Sequence, residues 1–195
     1  MNNITETNFD IVKLNEGQFN DLICLFSECF ENDLYYSKMF PNTSTRKELL
    51  CSAFSEIIYF LMKNDGAYGI FENGKLIAFI LLFNYNKTKS IHLEKFEAIF
   101  KRDSCEKELP YKKEIHDKIT DYGVDIIYIL SIGVSNAFRR KGVAGKLVDF
   151  AIENYQGYCL ISDVSNTSSI PIYKERNFEC EKIDDDYFLV IHKLP

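Results

Sequence analysis

Glycine and proline are scarce in this 195-residue chain, with nine and four copies, which excludes a collagen-like or low-complexity polymer. Long apolar runs are missing too. The longest, Leu76 to Phe83, is too short to span a bilayer as a helix, so no membrane partner is expected. The first twenty residues hold no apolar leader core, and the expected location is the cytoplasm. The chain has no excess of basic residues: 23 Lys and Arg face 29 Asp and Glu, a formal net charge of −6. That argues against nucleic-acid binding, which needs a basic face to displace counterions from phosphates. Histidine is limited to His92, His116 and His192, far apart, and no Cys-x-x-Cys pair occurs, so no metal site is expected. The six cysteines sit in settings such as Leu22-Ile23-Cys24-Leu25-Phe26, where a reduced thiol is expected to behave as a small hydrophobe.

What is present is an ordinary globular composition, 46% hydrophobic and 27% charged, enough for one real core. Residues 10–14 read as a strand. Residues 18–30 and 45–62 carry apolar side chains at helical spacing. Asn73-Gly74 joins strands 68–72 and 75–85 as a hairpin, because both residues tolerate positive φ. Residues 86–122 interrupt the rhythm with charge and two short helical patterns. They read as a helical insertion, either a solvated cover for the sheet or a substrate-side lid. Asp125 to Val134 is a β-branched run typical of a central strand, with Ser131 and Gly133 marking a bulge or a close backbone approach. A helix from Val143, a strand 158–164, a short helix 169–176 and a terminal hairpin follow. The expected architecture is α/β: a mixed central sheet in the order β-α-α-β-β-β-α-β-α-β-β flanked by helices, one domain over residues 1–195 with insertion 86–122.

The chemistry concentrates after the central strand. Between Ser135 and Val148 stand Arg139, Arg140, Lys141 and Lys146 and no acid, in a chain that is acidic elsewhere. Gly142, Ala144 and Gly145 keep side chains away from the backbone at a helix start, where unpaired N–H groups can close around a phosphate. The spacing fits neither a P-loop, which needs Gly where Arg140 stands, nor a dinucleotide fingerprint.

Arg139-Arg140-Lys141-Gly142-Val143-Ala144 resembles the pyrophosphate-binding signature of the GNAT superfamily of N-acetyltransferases, Arg/Gln-x-x-Gly-x-Gly/Ala. Ile129 to Val134 is similar to that family's fourth strand. Asn166, Tyr173 and Asn177-Phe178 resemble its Asn-x-x-Ala-x-x-x-Tyr-x-x-x-Gly-Phe stretch. Ser169 stands there for Ala and Asn177 for Gly; Asn also accepts a left-handed helix cap. The resemblance implies a GNAT-like fold and acetyl-CoA as co-substrate, its acetyl passing to a primary amine by direct attack. It implies pyrophosphate on Arg139, Arg140, Gly142, Ala144, Gly145 and Lys146. Pantetheine is implied beside Ile132 and Val134, with Asn166 as a hydrogen-bonding or capping residue. Tyr173 is implied as the acid that protonates the departing thiolate. The acceptor is a small-molecule or peptide amine of unspecified kind, and an exposed edge or the terminal hairpin could pair a homodimer.

No general base is named by this reading. Tyr128 stands where some relatives carry a carboxylate. Asp125, Glu94, Glu97, His92 and His116 remain conceivable. Absence of an obvious base leaves an inactive acyl-CoA-binding sensor as the rival expectation. A cysteine-nucleophile enzyme would need a pair such as Cys105 and His116, around which no motif stands.

Overall fold

The computed structural model describes residues 9–86, 125–183, 185 and 187–193. The expected 86–122 insertion, with His92, Glu94, Glu97, Cys105 and His116, falls outside them apart from Asn86. Seven strands form one sheet: β1 (Ile11–Lys13), β2 (Ala67–Glu72), β3 (Lys75–Asn84), β4 (Ile126–Val134), β5 (Cys159–Val164), β6 (Glu179–Lys182) and β7 (Phe188–His192). Their spatial order is β1-β2-β3-β4-β5-β7-β6. All pairs are antiparallel except β4 with β5. The β2–β3 turn has φ of 50° at Asn73 and 77° at Gly74, as the Asn-Gly pair requires.

Helices cover both faces. On one lie α1 (Phe19–Phe30), α2 (Leu34–Met39) and α3 (Arg46–Lys63). Phe26, Phe54 and Leu50 pack there against Phe79, Leu81 and Ile161. The other face carries α4 (Val143–Asn154) and α5 (Ile170–Lys174), with Leu147, Val148 and Tyr173 against Ile80, Ile129 and Leu160. This three-layer arrangement is the expected mixed sheet with one addition, α2. Six residues are too few to show a helical period, but Asp33 starts the helix by accepting from Tyr35 N at 2.9 Å. Cys24 also differs from expectation: it lies on the exposed side of α1, its Sγ 3.7 Å from Glu28 Oε1.

Two features of β4 open the sheet. The register on β3 jumps from Leu81↔Ser131 to Leu82↔Ile129, so Leu130 is a surplus residue in a bulge beside the expected Ser131. A bulged strand bends and twists away from its straight course. On the other side, β4 pairs with β5 only from Ile126 to Tyr128, whereas β5 continues along β7 to Val164. Beyond Tyr128 the two strands part.

Candidate active site

The mouth of the β4–β5 gap is where the chemistry collects. Ser135 N–H donates to Ile77 O across the β3 side at 2.8 Å. Alternation along the strand therefore aims the backbone groups of Ile132 and Val134 away from β3 and into the gap. Those two residues were the sequence-expected pantetheine contacts. Val134 O accepts from Arg139 Nε at 3.1 Å, which leaves its N–H facing the opening.

Beyond Val134 the chain makes a short 3-10 turn (Asn136–Phe138) and enters the loop before α4. Arg140 has φ of 61° and Gly142 φ of 77°, left-handed conformations that turn successive N–H groups toward one side. Gly142 caps α4 with no side-chain hydrogen bond, so the N–H groups of Val143, Ala144 and Gly145 have no side-chain cap. Arg139, Arg140 and Lys141 are all exposed on this loop. Uncapped N–H groups, a helix dipole and exposed cations with no acid among them are the donor set a pyrophosphate needs, and the residues fit it.

Not every expected side chain points there. Arg139 folds back to Val134 and onto Cys29, whose part-buried thiol is pushed up to about 11, desolvation being the main cause. Lys146 Nζ lies 5.5 Å from the Phe9 ring centre. Gly145 has a reason the motif did not suggest. A Cβ there would come within 2.4 Å of Arg176 Nη2. Arg176 crosses above it to bind Asp149 on α4 with both Nε (2.6 Å) and Nη2 (2.9 Å). The glycine thus lets α5 lock onto α4.

On the α4–α5 side of the gap, Ser162 Oγ donates to Ile129 O at 2.9 Å, just before the strands part. The Tyr173 hydroxyl lies near that serine, which opposes part of the shift its burial causes. Burial pushes the phenol up to about 12, so it stays protonated at neutral pH. The Asn177 turn has φ of 62°, and Phe178 N returns to Tyr173 O at 3.1 Å, the left-handed cap expected from Asn. Asn166 caps its own turn, Oδ1 accepting from Ser168 N (3.0 Å) and Oγ (2.8 Å).

The α1–α3 side joins Tyr128, which the sequence placed at a relative's carboxylate position, to Asp33, Asp163 and Ser165, which sequence reasoning did not single out. Tyr128 donates its hydroxyl to Asp163 on β5, and burial is the first reason this phenol titrates far above its ordinary range. Asp33 sits opposite, part-buried. Its Oδ1 accepts from the N–H groups of Tyr35 and Tyr36 and its Oδ2 from Ser165 Oγ at 2.9 Å, where β5 has just ended. Burial raises the Asp33 carboxyl above the usual value; hydrogen bonds from Ser165, Tyr35 and Tyr36 pull the other way, and the nearby Asp163 charge adds to the rise. Tyr35, Tyr36 and Tyr187 line this region, Tyr35 and Tyr187 meeting edge-on at 6.0 Å. Two signals were available: an Asp at a helix-cap position, and a single acid inside the apolar strand Cys159–Val164. Asp125 lies at the far end of β4, its carbonyl bound to Cys159 N.

Among the described residues no group of three or more His, Cys, Asp or Glu could hold a metal, and no helix is long and apolar enough to cross a membrane. The sequence model described as the acetyltransferase (GNAT) family matches residues 20–178. No curated protein matches the chain in sequence. Among solved structures the chain is similar to a polyamine N-acetyltransferase of Drosophila melanogaster that forms N-acetylagmatine, with a TM-score of 0.61 and 10% identity. That match covers 96% of this chain and 100% of the other. Arylalkylamine N-acetyltransferase 2 from Aedes aegypti is similar at TM-score 0.59 and 18% identity, covering 95% and 97%. PaiA N-acetyltransferase from Thermoplasma acidophilum, in complex with coenzyme A, is similar at 0.58 and 15%, covering 96% and 99%.

Proposed function

We propose a division of labour across the β4–β5 gap for this chain, which belongs to the acetyltransferase (GNAT) family and transfers acetyl from acetyl-CoA to an amine. The observation that carries the assignment is the opening itself, with backbone donors and a buried phenol on one side and a part-buried carboxylate on the other.

The loop N–H groups from Arg140 to Gly145 hold the pyrophosphate, and Arg140 and Lys141 add positive charge, with Lys146 contributing only at longer range from beside Phe9. Ile132 and Val134 offer backbone hydrogen bonds to the pantetheine arm, and Asn166 flanks it. An amine attacks only when neutral, and in water its pKa is about 10. Asp33 is assigned as the base that takes this proton, since its burial makes it a better acceptor than an ordinary carboxylate. The amine nitrogen then bonds to the thioester carbon. The N–H of Ile132 faces the oxyanion that develops there. As the carbon–sulfur bond breaks, Tyr173 gives its proton to the thiolate, and the second proton shed by the attacking nitrogen restores the phenol. The products are an acetylated amine and CoA, with one proton released to water.

The acceptor proposed is a small cationic amine. Two carboxylates and several tyrosine rings meet at the α1–α3 side, a setting that attracts an ammonium group by charge and by ring faces. The polyamine and arylalkylamine enzymes of similar fold support the same reading. The whole chain is read as one catalytic domain working in the cytosol; self-pairing through an edge strand stays part of the proposal. The test combines thermal melting with acetyl-CoA and an amine panel that includes agmatine and 2-phenylethylamine, followed by CoA release. A melting shift with CoA release from small amines supports the reading; turnover only of peptide amines overturns the acceptor assignment.

A further inference from the structure

Arg46, the first residue of α3, is only 5% exposed, an unusual position for a guanidinium. Among the described residues no carboxylate pairs with it. Its partners are three main-chain carbonyls: Nε donates to Phe40 O at 2.6 Å, Nη1 to Glu31 O at 2.9 Å and Nη2 to Pro41 O at 3.2 Å. Glu31 is the C-cap of α1 and Phe40 the C-cap of α2. Helix ends leave carbonyls without intrahelical donors and carry the negative end of the helix dipole. One buried cation therefore closes two helix ends that lie nine residues apart, and the segment between them holds Asp33, Tyr35 and Tyr36.

We infer that Arg46 is a positioning residue for the acceptor side of the active site, stapling residues 31–41 so that the Asp33 carboxylate is held against Ser165 at the mouth of the gap. The inference rests on the assignment of Asp33 as base for its catalytic consequence, but the geometric part stands on the three carbonyl bonds alone. A planar fork reaches three acceptors at once; the single ammonium of lysine cannot reproduce that geometry. The groups that face Asp33 are the Ser165 hydroxyl, the amides of Tyr35 and Tyr36, and the Asp163 charge. Loosening the staple moves Asp33, together with the Tyr35 and Tyr36 amides that it caps, relative to Ser165 and Asp163 without touching either of them.

The test compares wild type, Arg46→Lys, Arg46→Gln and Asp33→Asn. Carboxyl NMR titration of Asp33 reads its surroundings without an acceptor, and steady-state rates are read with the best amine of the panel. Positioning predicts that Arg46→Lys moves the Asp33 titration down toward the ordinary carboxylate range. It predicts a kcat lower by at least about tenfold, while the KM for acetyl-CoA changes less than about twofold. Arg46→Gln, which keeps one donor group, serves if the lysine variant does not fold. A merely structural arginine lowers the melting temperature and leaves the Asp33 titration and kcat per folded molecule unchanged, which overturns the inference. The base assignment fails separately, if Asp33→Asn turns over at the wild-type rate.

Discussion

On the α4–α5 side of the gap the groups that face the opening are mostly main chain: the N–H groups of Ile132 and Val134 and those of the loop between Arg140 and Gly145. On the α1–α3 side they are side chains, Asp33, Asp163, Tyr128 and Ser165, brought in from three separate elements. A backbone site is set by φ angles at a few consecutive positions. A side-chain site is set by tertiary packing, and each of its members can be changed alone. The first kind suits a constant ligand such as pyrophosphate; the second suits an acceptor that differs between enzymes of one fold.

The largest effect should come from the side-chain half. Asp33→Asn keeps the α2 cap, since Asn caps as well as Asp, yet removes the proposed base, so kcat should fall by about 10²–10⁴. The fold holds the neutral form of this carboxyl preferentially, so its charge weakens stability as pH rises through the raised value. Melting at neutral pH should therefore stay level or rise in the variant. A fall in both rate and stability would show that Asp33 is structural. Next, Tyr173→Phe should cost about 10² in rate with CoA affinity intact, measured by CoA release and by calorimetry.

The backbone half should answer to geometry rather than to side chains. Gly142→Asp forces a side chain onto φ of 77° and sets a negative charge among anion donors, so CoA affinity should drop more than about tenfold. Arg140→Gly removes a whole cation but keeps the left-handed turn, and should cost less, about threefold. If the order is reversed, charge and not backbone dominates that side. The pH profile sharpens the contrast at the smallest amplitude. In the proposed roles Asp33 must be ionised, so the acid limb of kcat/KM should sit above the ordinary carboxylate value of about 3.9. Tyr173 must be protonated, so no alkaline loss should arise from it until pH nears 12. The stability that depends on its neutral phenol is complete below about pH 10 and is lost above that as pH climbs toward 12.

The same contrast explains what could be read before any fold was seen. The Arg139–Ala144 loop, the Asn73-Gly74 hairpin and the Asn177 cap are local, each written within a few residues whose torsions they fix. Asp33 and Ser165 are 132 positions apart, and Tyr128 and Asp163 are 35 apart. No spacing rule links such pairs, because only the packed sheet brings them together. Gly145 shows the converse: its place in a phosphate motif was legible, while its second duty beneath Arg176 needed the α4–α5 contact.

The surplus residue at Leu130 also says how little separates this enzyme from an inert relative. Deleting it would leave every other pair of the β3–β4 ladder in step, because Ser131 and Ile129 already face neighbouring partners on β3. Straightened, β4 could zip onto β5 along its full length, and the donors that now await a ligand would be spent on the adjoining strand. Such a protein should be sturdier and catalytically silent. The gap between β4 and β5 is, in that sense, an unfinished seam in the sheet, with one surplus residue at its edge.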